Sequence, residues 1–219
     1  MKIQVSSQIR QACPELMLAT ITCKVTNLAT SAEFWEEMED EMRQIRASYF
    51  MEQINKRPEI AATRKVYKTL GKDPNRYRPS AEALCRRIVR EIPIYQVSML
   101  VDIINLVSIR SGFSIGGFDC DKIQGDVELG IGSNEDEFEA IGRGILNVEG
   151  LPLYRDNIGG IGTPTSDNER TKITDETRNL LLIINGYSGE SGLQAAVDHA
   201  IELLDKYADM KESNVAWVN

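Results

Sequence analysis

The sequence predicts an α+β protein, and three observations carry that expectation. Between residues 31 and 112 apolar side chains recur at helical spacing, bounded by capping and stop residues. From Phe113 onward glycines punctuate short apolar stretches, the pattern of a sheet with many tight turns. Near the end, Leu193, Ala196, Val197, Ala200, Leu203 and Leu204 line one face of a closing amphipathic helix. With 219 residues, 42% of them hydrophobic, the chain is long enough to bury a core.

Taken in order, Met17 to Val25 alternates loosely and is rich in β-branched residues, which predicts a strand. Ser31 can accept from free amides at a helix start. Phe34, Trp35, Met38, Met42, Ile45, Tyr49 and Phe50 then continue a long amphipathic helix to about Lys56. A second helix is expected from Pro58, suited to a first turn, to Leu70, with Gly71 taking the left-handed conformation that stops it. Asp73-Pro74-Asn75 makes a turn. Ser80 is expected to cap a helix from Ala81 to about Glu91, and Ser98 another that ends at Gly112. Strands are expected within Phe113 to Phe118, Asp126 to Ile131, Ala140 to Val148, Leu151 to Tyr154 and Leu180 to Asn185. The closing helix spans Gly192 to Tyr207. No repeat, low-complexity tract or linker divides the chain, so a single domain over residues 1–219 is expected.

Composition excludes several classes of function. A net charge of -8 argues against a protein that coats nucleic acid over its whole surface, because phosphate contacts dominate such binding. Charge is uneven, however: Lys56, Arg57, Arg64, Lys65, Lys68, Lys72, Arg76, Arg78, Arg86, Arg87 and Arg90 meet only Glu59, Asp73 and Glu82 over the same stretch. Within it Lys68, Lys72, Arg76, Tyr77, Arg78, Arg86 and Arg87 combine donors with an aromatic around a proline turn, a composition suited to phosphates and unstacked bases. The other reading of the tract is a solvated helix face. Cys13, Cys23, Cys85 and Cys120 are scattered without a C-x-x-C pair, which predicts reduced thiols and neither zinc nor disulfides. The acidic group Asp119, Asp121, Asp126 and Glu128 is read as turn capping, so no metal or other cofactor is expected. His199, the sole histidine, sits in the closing helix away from any partner motif. The opening MKIQVSSQIR lacks the apolar centre of a signal peptide and no run is long enough to cross a bilayer, so a cytoplasmic location is expected.

Several blocks in order resemble one known family. Val101, Asp102, Asn105, Val107, Gly112, Phe118, Asp119, Asp121, Lys122 and Ile123 match, residue for residue, a stretch of the B3/B4 domain of the bacterial phenylalanyl-tRNA synthetase β subunit. Ala12-Cys13-Pro14 is similar to that module's lead-in, Ser80 to Arg87 to one of its helices, Gly159-Gly160-Ile161-Gly162 to its glycine turn, and Asp175-Glu176-Thr177 with Asn179, Leu181 and Leu182 to a late strand. The resemblance implies a three-layer fold with a central β-sandwich and flanking helices. Relative to the synthetase module, residues 28–79 would be a helical insertion and residues 192–207 an additional helix.

In the synthetase the module is an editing site that hydrolyses tyrosine mistakenly esterified to the phenylalanine tRNA, so the resemblance implies tRNA or aminoacyl-tRNA as partner. It does not imply a complete ligase. A pocket is expected from Asn105, Gly116, Gly117, Phe118, Arg155, Gly159, Gly160, Thr165, Ser166 and Asp167, with backbone amides of the glycine turns as oxyanion donors. The family has Thr at Ile104, His and Ala at Gly116 and Gly117, and Glu at Ile183, and these departures predict a pocket without the polar tip that holds a tyrosine hydroxyl. Three outcomes stay open: a deacylase acting apart from any synthetase, a non-catalytic tRNA-binding module, and a binder of amino acids or related metabolites.

Overall fold

The computed structural model describes residues 1–219. The chain runs β1 (Ile3–Val5), α1 (Ser7–Ala12), β2 (Met17–Lys24), α2 (Ala32–Ser48), α3 (Pro58–Thr69), α4 (Ser80–Val89) and α5 (Met99–Ser111). It continues through β3 (Ile115–Asp119), β4 (Val127–Ile131), β5 (Glu139–Ala140), β6 (Gly144–Ile145), β7 (Pro152–Arg155), β8 (Gly160–Gly162), β9 (Asn179–Gly186), α6 (Leu193–Ala208) and β10 (Lys211–Val218). One sheet has the order β10-β2-β9-β3 and is antiparallel throughout. The other has the order β1-β4-β7-β8, with β1 and β4 parallel. β5 and β6 form a separate hairpin.

Alternation along β9 divides the core in two. Leu180, Leu182 and Ile184 face a layer of helices and pack with Phe34 and Met38 of α2, Leu100 and Ile103 of α5, and Leu193 and Leu204 of α6. Leu181 and Ile183 face the second sheet and pack with Leu18, Phe118, Val127, Leu129, Tyr154 and Ile161. The result is the expected α+β three-layer arrangement, with the two sheets forming the sandwich and α2, α4, α5 and α6 stacked on one of its faces. At its ends, Ile9 of α1 and Val66 of α3 enter the core between the sheets.

Local signals set some boundaries and distant partners set others. Ser31 accepts from Phe34 N–H at 3.2 Å, as its position implies, while Gly71 and Gly112 take φ of +80° and +84° after α3 and α5. The long helix, however, stops at Ser48 rather than near Lys56. Tyr49 turns extended and the chain doubles back through a 3-10 turn at Ile54–Lys56, leaving Phe50 exposed and burying Ile54 against Ile60, Ala81 and Cys85. That return lets the buried Arg57 donate to the last carbonyls of α5, Ile109 O and Arg110 O, at 2.8 Å each. Neither Ser80 nor Ser98 caps its helix through its hydroxyl. Pro79 occupies the cap of α4. At α5 the side chain of Asn27, far upstream, accepts from Leu100 N–H at 3.1 Å and donates to Ser98 Oγ at 3.2 Å. The strand expected over residues 140–148 is instead the β5–β6 hairpin, reversed at Gly142 with φ of +66°. β1, α1, β8 and β10 carry no expectation from the sequence pattern.

Part of the basic tract is internal, with Arg57 and Arg64 buried. Glu82 of α4 is fully buried, and its carboxylate meets Arg64 at 2.8 Å, Arg86 at 2.8 Å and Arg78 at 3.6 Å. Arg64 also donates to Pro74 O and Asn75 Oδ1, pinning the turn after α3. Lys72 donates to Asn147 O at 3.1 Å and lies over the Tyr77 ring at 3.9 Å. Burying a carboxylate is tolerated only with such partners, and removing it would strand the buried Arg64. Glu82→Ala should therefore lower stability by about 3–5 kcal/mol, whereas Arg78→Ala at the rim should change it by less than about 1 kcal/mol. Urea unfolding of both variants measures the difference, and equal losses would contradict the assignment of Glu82 as the hub.

Candidate functional site

A cleft of about 430 Å³ opens where the helical layer meets the edge of the sandwich. Ser80 and Leu84 of α4, Val101, Ile104, Asn105 and Ser108 of α5, and Ile115 and Gly117 of β3 line it, closed by Ile141, Asp167, Lys172 and Ile173. Val101, Asn105 and Ser108 fall on one face of α5 by helical spacing, which is why a single helix supplies both wall and polar groups. A larger trough of about 650 Å³ runs beside Trp35 and Tyr95, but the charged groups along it, such as Glu39, Arg46 and Glu91, belong to the open surface.

Asp167 is the anionic group of the cleft. It stands where the free edges of both sheets approach, since β3 ends one sheet and β8 ends the other. The chain after β8 folds back on itself through Thr163 N–H to Ser166 O and Asn168 N–H to Ile161 O, both 2.9 Å, and this turn presents Asp167 to β3. Its Oδ2 accepts from the edge amide of Gly117 at 3.3 Å. Glycine is required opposite: a Cβ on Gly162 would lie 2.7 Å from Asp167 Oδ1 and 2.6 Å from Phe118 Cζ. The residue is half-buried, open to the cleft and ringed by protein elsewhere. Burial pushes its carboxyl up to about 7, opposed only by the Gly117 N–H. A carboxyl tuned to that range in a cleft has the properties of a general base or acid.

The structure thus brings Asn105, Gly117 and Asp167 together. The rest of the expected pocket lies elsewhere, because neighbours in a turn project to different sides. Phe118 is fully buried between the sheets, edge-on to Tyr154 with ring centroids 6.5 Å apart. Gly116 faces the same side, where a Cβ would meet the Phe118 ring at 2.7 Å. Arg155 donates to Asp136 at 2.8 Å and to Ile131 O at 2.9 Å. Thr165 is buried, in hydrogen-bond contact with Tyr67 OH at 2.9 Å and donating to Tyr77 O. The Ser166 hydroxyl donates to Asp167 O rather than entering the cleft. Gly159 spends its N–H on Asp156 Oδ1 at 3.1 Å and Gly160 backs onto Phe138, so neither supplies an oxyanion donor to the cleft.

Of the basic residues singled out, Arg78 and Arg86 are held by Glu82, and Lys72 by carbonyls of the 147–149 turn. Arg87 donates to Pro93 O at 2.7 Å and stacks on Tyr95. Lys68 and Arg76 remain exposed, with Arg76 5.5 Å from the Tyr77 ring. His199 lies 2.8 Å from Arg110, and burial together with that cation lowers its pKa to about 4. It is remote from the cleft-lining residues.

A family model described as the B3/4 domain matches residues 62–209. The chain belongs to this family. The matched span of the B3/4 domain runs from within α3 to the end of α6 and contains every residue of the cleft. Among solved structures it is similar to an N-terminal fragment of the phenylalanyl-tRNA synthetase β-subunit from Pyrococcus horikoshii, at 15% identity and a TM-score of 0.47. That alignment covers 98% of this chain and 50% of the fragment, so the chain spans half the fragment's length. No curated protein matches. No helix is long and apolar enough to cross a membrane.

The departures of this B3/4 domain from the family pattern fall into two compensating sets. Gly116 and Ile183 are register partners on the face between the sheets, where Phe118 fills the space above the glycine. Ile104 and Gly117 complement one another on the helical side: a Cβ on Gly117 would lie 2.4 Å from Ile104 Cδ1 and 3.1 Å from Ile173 Cδ1. Ile115, Ile141, Lys172 and Ile173 had no motif to mark them, since each reaches the cleft through tertiary packing.

Because the folded Asp167 carboxyl takes its proton near 7 and the unfolded one near 4, the native state holds the extra proton between those values. Its contribution to stability is therefore fully favourable below about pH 4 and is lost as pH rises to about 7. Asp167→Asn should gain stability over the parent through that window, reaching about 1–2 kcal/mol after allowing for the open side of the cleft, and stay level above it. Chemical denaturation from pH 4 to 8 checks this; parallel curves would place the carboxyl in ordinary solvent.

Proposed function

We propose that this B3/4 domain is an aminoacyl-tRNA deacylase that acts on a mischarged tRNA apart from any synthetase. The observation that carries the reading is Asp167, a carboxyl raised to about 7 in a cleft whose lining also holds Leu84, Val101, Ile104, Ile115, Ile141 and Ile173. In this reading the Asp167 carboxylate takes a proton from water, and the resulting hydroxyl oxygen bonds to the acyl carbon. The ester C–O bond then breaks, and the proton passes from Asp167 to the departing ribose oxygen. Asn105, on the α5 wall, supplies an amide donor to the acyl oxygen. Gly117 keeps its edge amide directed at Asp167, which orients the base.

Incubation with a panel of mischarged tRNAs tests the reading directly. At least one pair should lose its ester, with a rate that rises as pH passes through about 7, and Asp167→Asn should reduce that rate about 10²–10⁴-fold. A panel left intact by the parent protein would refute it.

The RNA surface in this reading is small. Of the residues expected to touch RNA, Lys68, Arg76 and the Tyr77 ring are the ones left open for phosphate and base contact. Replacing Lys68 and Arg76 together by alanine should weaken tRNA binding and flatten its salt dependence, by about one unit of log–log slope per lost phosphate contact. Binding indifferent to the double variant would remove this surface. A second reading, recognition of a free amino acid or related metabolite in the same cleft, is favoured by one observation: Arg57, Arg64, Lys72, Arg78 and Arg86 of the basic tract are engaged by partners within the fold.

A further inference from the structure

Gly117 is the point where reactive and apolar parts of the cleft meet. Its N–H donates to Asp167 Oδ2 at 3.3 Å, and the volume a side chain would take at its Cα is filled by the terminal methyls of Ile104 and Ile173. A group held with its carbonyl carbon next to Asp167 and its α-carbon toward Gly117 lays its substituent against those methyls. The wall beyond them continues as Leu84, Val101, Ile115 and Ile141. No aromatic residue faces this space. The nearby rings, Phe118 and Tyr154, lie between the sheets, and the Tyr154 hydroxyl is spent on Asn185 at 2.6 Å. On the α5 wall the Ser108 hydroxyl is likewise committed, donating to Phe113 O at 2.7 Å.

From this geometry we infer that the cleft selects an acyl group with a branched aliphatic side chain, of the leucine, isoleucine or valine kind, and that Ile104 is the specificity-determining residue. Methyl-lined walls reward matching methyls through close packing and offer a flat ring nothing to stack on. A phenolic hydroxyl pressed onto the Ile104 and Ile173 methyls would lose water without gaining a partner. The family's threonine at this position is smaller and polar, and the missing Cβ at Gly117 accommodates the longer isoleucine. The inference rests on the deacylase reading for the bond that is cut, but the side-chain preference is a property of the wall alone.

Amino-acid amides separate the two, because they present the acyl group and side chain without a cleavable ester. Titration of the intact protein with L-leucinamide, L-isoleucinamide, L-phenylalaninamide and L-tyrosinamide, followed by amide chemical shifts, should show the aliphatic pair binding at least about tenfold tighter than the aromatic pair. Ile104→Thr should shrink that ratio below about threefold by opening the floor, and Ile173→Ala should act in the same direction if the first variant folds poorly. Equal or tighter binding of an aromatic amide, no binding of any amide, or a ratio unmoved by both variants overturns the inference. Loss of the deacylase reading alone, with intact mischarged tRNAs and a preserved aliphatic preference, leaves it standing.

Discussion

The burial of β9 on both faces is the constraint from which the rest of the architecture follows. The strand lies between β2 and β3, and its side chains alternate between two cores. Leu180, Leu181, Leu182, Ile183 and Ile184 are each almost fully buried, and at about 1.5–3 kcal/mol per side chain their gross contribution rivals the net stability of a domain. An element that must be apolar on both sides cannot also carry catalytic polarity without stranding it. At Ile183, where the family has a glutamate, the side chain lies on the face shared with Leu181 and Phe118 of its own sheet and turned toward Tyr154 of the other. The polar groups of the cleft accordingly lie at the sheet edge and on α5 rather than on the central strand.

Those edges explain why a single carboxylate gathers the site. An edge strand presents amides that no neighbouring strand uses, and such groups are satisfied by water, by ligands or by side chains brought to them. Gly117 has no strand beyond it, and Asp167, carried in by the turn that ends the other sheet, accepts from its N–H. The same contact joins the free edges of both sheets. The carboxylate thus has one oxygen directed at the protein and its open side toward the cleft. Helices α4 and α5 form the opposite wall, held in place by Glu82 and by Arg57 at the end of α5.

What the sequence revealed and what it hid follow from how far each determinant reaches. Ser31, Gly71 and Gly112 act within one turn of their own positions, and all three behave as their types predict. The cap of α5 comes from Asn27, so no window around Ser98 contains it. The end of α2 is set by Arg57 reaching the α5 carbonyls, a tertiary demand that overrides an apolar spacing continuing through Phe50. At the cleft, Asn105 and Gly117 were legible because they fall in the stretch from Val101 to Ile123, and Asp167 because it follows the glycine turn at residues 159–162. Arg155, Gly159, Gly160 and Thr165 share those blocks but project elsewhere, since a tight turn sends successive side chains in different directions. Ile173 and Ile141 escaped notice because an isolated aliphatic residue carries no local signal of the wall it joins.

Charge shows the same separation between sequence and space, with consequences for the ligand. Eleven basic residues between Lys56 and Arg90 resemble a binding surface when read along the chain. Yet a carboxylate as buried as Glu82 is stable only among cations, and the fold draws Arg64, Arg86 and Arg78 to it. Arg64 and Arg86 are thereby turned inward, so part of the tract's positive charge is held within the fold of a chain whose net charge is -8. A polyanion approaching the tract meets the exposed Lys56, Lys65, Lys68, Arg76 and Arg90, and its binding is sensitive to salt. The cleft bears no such restriction. Its lining cation, Lys172, is paired with Glu169, and its aliphatic lining acts at contact range, by packing that is indifferent to the sign of the distant surface.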